Sequence, residues 1–503
     1  MAAHITIKDR PCGWGKTTEI LASYKPGNKY ITVLPFLSEV DRMVKGAQRY
    51  SKFKMVAPSD NSKTKRESAQ TLLEAGDSVA CTHALFYSLG TLATQPVSTY
   101  VTGFDASDPS DLSNCKTHTK YLLDDYHLIV DEVVDPFDTI KGVTFREFQN
   151  DYEDLGLATV EEDGRVVPTP DWEQRFYAGS TTFKRDLFEA AKSGALYLLE
   201  NRLFVLTIPI ELLLRPKTTT IYTYLSEGTI LLAFLRRLEK RLAGTADAFT
   251  LTVDKLSAAR EKDWREDVRA ALTIKSIPTL EVFNWAHGGQ TKTFQGAAGQ
   301  TACRSAGNAL KKFAGSELRG VDRRRVMLTC ARENWKAHIE GKKPLAGRVA
   351  KHSRLFGRAA VEFPDKPTGA LTYQTTGVQW VGNTTRGVND YITCSHAVYL
   401  YNQNPNPQLL QFLGMQQGTR EAAEFTNAYA LSELVQWLFR CSIRSGGVNG
   451  TGRPFEQRLK ATVYIPSDRM RNLLINWLNT GEISSTTPSA QMDGTLGSVK
   501  ELL

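Results

Sequence analysis

The feature that most constrains this chain lies within its first twenty residues. A short apolar strand, His4 to Ile7, runs into Arg10-Pro11-Cys12-Gly13-Trp14-Gly15-Lys16-Thr17-Thr18, and an amphipathic helix opens at Lys16. A strand that turns through glycines into a helix points backbone N–H groups inward at the helix N-terminus, where the dipole also favours negative charge. Lys16 would then reach the outer phosphates of a nucleotide, and Thr17 would ligate Mg²⁺. Gly13, Gly15, Lys16, Thr17 and Thr18 are the candidate cofactor-binding residues, with ATP and Mg²⁺ as the expected ligands. One position departs from the usual pattern: a first glycine belongs five residues before Gly15, and Arg10 stands there.

A second signal gives the loop its context. The apolar run Leu128-Ile129-Val130 ends in Asp131-Glu132, which sets two carboxylates at the C-terminal edge of a buried strand, where open α/β sheets bind ligands. Asp131 would hold Mg²⁺ through water, and Glu132 would orient and deprotonate an attacking water. Breaking the terminal phosphoryl bond also needs positive charge, commonly an arginine supplied across a cleft. Gln436, Arg440 and Arg444 lie four apart and are predicted to share one helix face pointing into a domain interface.

Around these motifs, short apolar strands alternate with amphipathic helices: His4–Ile7, a helix from Lys16, Tyr30–Leu34, a helix from Leu37 to Gln48, then Ser78–Cys81 and Leu128–Val130. That alternation predicts a parallel sheet with crossover helices. The polar stretch Asp105 to Lys120 reads as a surface loop, and Gly244-Thr245 as a break after the helix Leu231 to Arg241. Beyond a Gly/Gln/Thr-rich stretch, 288 to 301, read as a loop, strands resume at Val326–Thr329, Ala397–Leu400 and Ala461–Ile465. They alternate with the helices Ala428–Arg440 and Met470–Trp477. At 503 residues the chain exceeds one ordinary core. The pattern predicts two α/β domains in tandem, 1–243 and 244–482, and a polar tail, 483–503, whose composition supports no core.

Charge points to the partner. Between Arg304 and Arg358 stand fifteen Lys or Arg against four Asp or Glu, a footprint suited to a phosphate backbone. No run reaches transmembrane length and the N-terminus lacks the plan of a secretory signal, so a cytoplasmic, non-membrane protein is expected. Seven scattered cysteines, with no Cys-x-x-Cys pair, suggest free thiols rather than a disulfide or zinc framework.

The order of motifs resembles that of superfamily 2 (DEAD-like) helicases, particularly phage helicase-like ATPases. Gly13 to Thr18 would be motif I and Asp131 to Val134 motif II. Val33 to Arg42 is similar to motif Ia, and Thr82-His83-Ala84-Leu85 to the next motif on the nucleic-acid track. Tyr222 to Thr229 takes the place of motif III without its Ser/Thr-Ala-Thr core. Val326 to Arg332, Thr384 to Tyr391 and Gln436 to Arg444 resemble motifs IV, V and VI.

The resemblance implies two tandem RecA-like P-loop NTPase domains clamping ATP·Mg²⁺ in the cleft between them. It implies ATP hydrolysis driving movement on nucleic acid, DNA in preference to RNA, with replication or recombination proteins as further partners. Thr82, His83 and Arg386 would join the 304–358 region on the nucleic-acid track. Arg440 would serve the γ-phosphate with Arg444 assisting, although the family's second arginine falls at Ile443 here. A terminase-type packaging ATPase would need an acidic nuclease cluster, which Asp468, Asp493 and Glu501 do not form. A non-catalytic nucleic-acid-binding protein is the other alternative, and Arg10 and the loose motif III are the features in its favour.

Overall fold

Strands built from β-branched and aliphatic residues assemble the first domain around a fully parallel sheet. In the computed structural model its strands are β1 (Ala3–Asp9), β2 (Lys29–Leu34), β3 (Val79–Thr82), β4 (Tyr126–Asp131), β5 (Thr218–Thr223) and β6 (Phe249–Lys255). They lie in the order β6-β1-β5-β4-β2-β3, every pairing parallel. The structure describes residues 3–60, 64–93, 95–102, 115–132, 136–140, 143–162, 164–177, 185–192, 194–199, 202–206, 208–245, 248–337, 345–357, 359–362, 371–374, 377–385, 390–447 and 457–483.

The sheet is buried on both faces, as parallel sheets require. Ile5, Ile7, Val33, Val130 and Ile221 pack with Leu231, Leu235 and Leu238 of one helix (Ile230–Leu242). On the other face Tyr30, Ile129 and Tyr222 pack with Ile20, Leu21 and Tyr24, which belong to the helix α1 (Lys16–Ser23) and its end. A second helix, α2 (Leu37–Gly46), and a short one, α3 (His83–Tyr87), follow β2 and β3. The Ile230–Leu242 helix is α4.

The second domain repeats the plan. Its strands are β7 (Leu272–Lys275), β8 (Val326–Thr329), β9 (Gln379–Trp380), β10 (His396–Tyr399) and β11 (Ala461–Tyr464), ordered β7-β11-β10-β8-β9. All pairings are again parallel. Its helices include α5 (Ala258–Ala271), α6 (His287–Phe294), α7 (Gly296–Ser316), α8 (Arg332–Trp335), α9 (Ala350–Ser353), α10 (Arg420–Leu438) and α11 (Asp468–Thr480). The chain is thus two tandem RecA-like α/β domains with parallel sheets, as the sequence predicts.

Several expectations change. The first sheet does not end at the Gly244-Thr245 break, because β6 pairs along the whole open edge of β1, Ala3↔Phe249 through Asp9↔Lys255. The polar stretch 105–120 is not all loop: Lys116–Tyr121 pairs antiparallel with Pro96–Thr102 as a hairpin, while residues 103–114 lie outside the described residues. The stretch 288–301 is helical, in α6 and α7. Its glycines admit close packing: a Cβ at Gly299 would fall 2.6 Å from the Phe294 carbonyl carbon. Between β4 and β5 the chain inserts a unit that no sequence pattern signals. Phe137–Thr139, Leu196–Leu199 and Arg202–Leu206 form an antiparallel sheet there, over a small core that includes Phe148, Trp172 and Phe188. Among the described residues no helix is long and apolar enough to cross a membrane, and the seven cysteines are free.

Candidate active site

The loop after β1 has the conformation its glycines allow. Gly13 and Gly15 have φ of 78° and 104°, in the left-handed region closed to most side chains. Gly15 is the N-cap of α1 and brings no side-chain oxygen to the first turn, so the N–H groups around Lys16, Thr17 and Thr18 stay available to an anion.

Arg10 does not carry a strained backbone; its φ is not among the positive values. Its N–H donates to the Thr223 carbonyl (2.8 Å). The side chain turns away from the loop: Nη1 and Nη2 donate to the Asp254 carbonyl (2.8 Å) and carboxylate (2.7 Å), and Nε donates to Glu19 (3.2 Å). The residue in the glycine position therefore fastens β1 to β6 and α1. One of the two features that favoured a non-catalytic reading thus has a structural role.

Asp131 and Glu132 stand at the end of β4. One strand, β5, separates β4 from β1, so the acidic edge and the loop are two strand spacings apart, roughly 10 Å. Asp131 is buried, and its Oδ1 has no hydrogen-bond partner among the described residues. Burial pushes its carboxyl up to about 6; the Lys16 ammonium works against that shift, and Glu132 adds to it. Glu132 adopts a left-handed conformation, φ 63°, with its N–H donating to the Tyr222 carbonyl (3.1 Å). A non-glycine residue in this region costs of order 1–3 kcal/mol and is a mark of functional sites.

The residues present suit Mg²⁺. It takes one or two protein oxygens and completes its shell from phosphates and water, and the orphaned Oδ1 of Asp131 with the Thr17 hydroxyl provides such oxygens. Arg42, on α2, reaches Thr17 Oγ1 (Nη2, 3.4 Å) and pairs with Glu39.

The second domain supplies the other wall. Helix α10 stops at Leu438, so Gln436, Arg440 and Arg444 do not share a helix face as their spacing suggests. Arg440 follows the helix end, and Arg444 closes a 3₁₀ turn, Ser442–Arg444. The turn nevertheless delivers both arginines to the first domain. Buried Arg440 places Nη2 3.5 Å from Glu132 Oε2. A Cβ at Gly13 would fall 3.3 Å from the Arg444 carbonyl oxygen and 4.0 Å from its Cγ. Gln436 Nε2 donates to the Tyr224 carbonyl (3.3 Å) and to Ser432 Oγ (3.0 Å).

Three residues not among the expected site residues complete this junction. Asp9, the last residue of β1, accepts from the N–H groups of Leu225 and Ser226 (2.9 Å each) and from the Ser226 hydroxyl (2.7 Å). It ties the phosphate-loop strand to the segment in the place of motif III. Gly228 in that segment lies against α10, where a Cβ would fall 2.2 Å from the Ala428 carbonyl oxygen. Trp14, inside the loop, belongs to the same apolar cluster as Tyr224, Trp264, Phe439 and Ile443, which spans both domains. The readable signals were a charged residue closing an apolar strand at Asp9 and an aromatic amid glycines at Trp14.

The nucleic-acid candidates fare differently. His83 is buried, its Nε2–H donating to the Asp131 carbonyl (3.0 Å), and burial pushes its pKa down. It braces the acidic strand instead of facing a groove. Half-buried Thr82 caps α3, accepting from the Leu85 N–H (3.4 Å). Arg386 lies outside the described residues.

Comparison with known proteins finds similarity of three kinds. A family model described as the YonV C-terminal Rossmann-like domain matches residues 271–478. The SPbeta prophage-derived uncharacterized protein YonV of Bacillus subtilis (strain 168) is 30% identical over 95 residues; the match spans 18% of this chain and 19% of that relative's length. Among solved structures, an XPD helicase is similar at 12% identity and a TM-score of 0.46 over 95% of each chain. Xpd4 of S. tokodaii is similar at 12% identity and 0.45 over 94% of each.

Proposed function

We propose that this protein is an ATP-dependent nucleic-acid translocase or helicase that hydrolyses ATP·Mg²⁺ between its two domains. The observation that carries the reading is the meeting of Arg440 with Glu132, at 3.5 Å, beside a glycine loop packed against Arg444. A basic group from one domain opposite a carboxylate and a phosphate loop from the other is the layout that phosphoryl transfer needs. Lys16 reaches the β- and γ-phosphates, and Thr17 and Asp131 hold Mg²⁺, which neutralises phosphate charge when bound. Glu132 positions and deprotonates the attacking water. Arg440 meets the charge on the γ-phosphate, and Arg444 assists.

The nucleic acid runs over the cationic second domain, with the region 304–358 and Arg386 contacting phosphates and Thr82 approaching from the first. DNA is the favoured strand, in phage replication, recombination or repair within a host cytoplasm. A prophage-derived relative supports the phage setting.

ATP hydrolysis measured with and without single-stranded DNA or RNA tests this directly. Wild type should be stimulated by a strand, while Lys16→Ala and Glu132→Gln should lose about 10²-fold or more in kcat. A wild-type protein whose hydrolysis no strand stimulates would sink the motor reading. Arg440→Ala should cost more than Arg444→Ala; the reverse order reassigns the γ-phosphate contact.

A further inference from the structure

Four cations of the second domain converge on one cavity. Arg332 on α8, Lys336 just after it, Arg348 before α9 and Lys351 on α9 line a space of about 440 Å³, with Glu333 beside them. They come from two stretches that the backbone clamps together. The N–H groups of Gly347, Arg348 and Val349 donate to the carbonyls of Trp335 (2.8 Å), Glu333 (3.1 Å) and Asn334 (2.9 Å). A Cβ at Gly347 would fall 2.5 Å from the Glu333 carbonyl oxygen, so glycine is what lets this segment close on α8. From the far side α7 closes in at Gly307, where a Cβ would lie 2.7 Å from the Val349 carbonyl oxygen. Packing therefore holds like charges together that solvent would otherwise let separate.

The cluster carries unmet demand. Arg348 Nη1 is buried without a hydrogen-bond partner among the described residues. The Lys336 ammonium lies 4.4 Å from the centre of the Trp380 ring; burial, helped by the neighbouring Arg332 charge, pushes its pKa down. Partly desolvated charge and an unused donor both cost folding free energy, and a bound polyanion would offset that cost. Four cations with one carboxylate exceed what a single carboxylate ligand can occupy, whereas a phosphate offers several oxygens to guanidinium and ammonium groups.

We propose that this cavity is a phosphate-binding site for a nucleic-acid strand, contacted by Arg332, Lys336, Arg348 and Lys351. It rests on the nucleic-acid reading above and narrows the broad basic region to one built site. The phosphates are either internal phosphodiesters or a terminal 5′-phosphate.

Fluorescence anisotropy with a labelled single strand, bearing a 5′-phosphate or a 5′-hydroxyl, distinguishes these across about 50 to 200 mM salt. Lys336→Gln, Arg348→Gln and the exposed Lys351→Gln are each expected to weaken binding several-fold. Each should also flatten the log–log salt slope by about 0.7 for every phosphate that is no longer neutralised. Lys262→Gln, an exposed change outside both the cavity and the 304–358 region, should do less. Equal weakening for both strands assigns internal phosphates, and weakening confined to the phosphorylated strand assigns the terminus; both support the site. Wild-type affinity and slope in variants that keep the wild-type Tm, or an equal effect at Lys262, overturns it and leaves the motor reading standing. Failure of the wild type to bind either strand overturns both.

Discussion

At the scale of single residues, Asp131 makes the sharpest prediction. Its carboxyl sits at about 6 against an ordinary 3.8, with burial the largest cause. A raised carboxyl favours the protonated form in the fold, so its contribution to stability is present below about pH 4 and is lost as the pH rises through about 6. Asp131→Asn should therefore raise the Tm of the nucleotide-free protein at pH 7.5 by about 2 °C or more, and leave it unchanged at pH 3.5. Mg²⁺ binding requires the ionised form, so wild type should release a proton on taking up Mg·ATP near pH 6. Calorimetry in two buffers of different ionisation enthalpy reads that proton; identical heats would exclude it.

The loop and the acidic pair were legible from sequence because their chemistry is written in consecutive residues. Arg10 and His83 were not, since their roles depend on partners far along the chain, Asp254 for one and the Asp131 carbonyl for the other.

At the scale of elements, the close approach of the Ser226–Gly228 turn to α10 fixes how the domains meet. All three nearest atoms to a Cβ at Gly228 are backbone, at 2.2 to 2.9 Å, so no side chain can swing aside. Gly228→Ala is expected to destabilise the protein by about 1–3 kcal/mol through this overpacking. Urea denaturation checks it, and an unchanged midpoint would show that the two elements can part freely.

Buried parallel strands read clearly as apolar runs, which is why most strand centres were legible. Strand β6 was not: Phe249-Thr250-Leu251-Thr252-Val253-Asp254-Lys255 alternates apolar and polar residues at a sheet edge, and nothing local says which sheet it joins. Glycine, glutamine and threonine in α6 and α7 read as loop because their intrinsic preference is overridden by tertiary packing. The arginine spacing misled for a related reason, since the helix ends within the motif.

At the scale of the whole molecule, one apolar cluster crosses the domain junction through the nucleotide loop. Trp14 shares this cluster with Tyr224 of its own domain and with Phe439 and Ile443 of the other, so a nucleotide entering beside Gly13 is expected to disturb an indole buried at the junction. Binding of Mg·ADP is expected to change tryptophan emission in wild type and in Trp380→Phe, and to leave Trp14→Phe nearly silent. An undiminished signal in Trp14→Phe would place the moving indole elsewhere. The tandem plan itself was legible from alternation and length. The inserted unit within 137–206 was not, because its short antiparallel strands and scattered aromatics form no periodic run.

The 3.5 Å approach of Arg440 to Glu132 has a last consequence. In this pairing the group that would meet the γ-phosphate and the group that would activate water neutralise each other, so the two halves of the site act as each other's safety catch. ATP can release the catch by giving Arg440 a third phosphate in exchange for the carboxylate; ADP has none to give. Arg440→Gln should therefore hydrolyse ATP more slowly, by about 10²-fold or more in kcat, while its ADP affinity gains nothing. A calorimetric Kd for ADP that tightens in this variant would argue against it. In the wild type, the pair keeps the machine idle until a nucleotide with a third phosphate arrives.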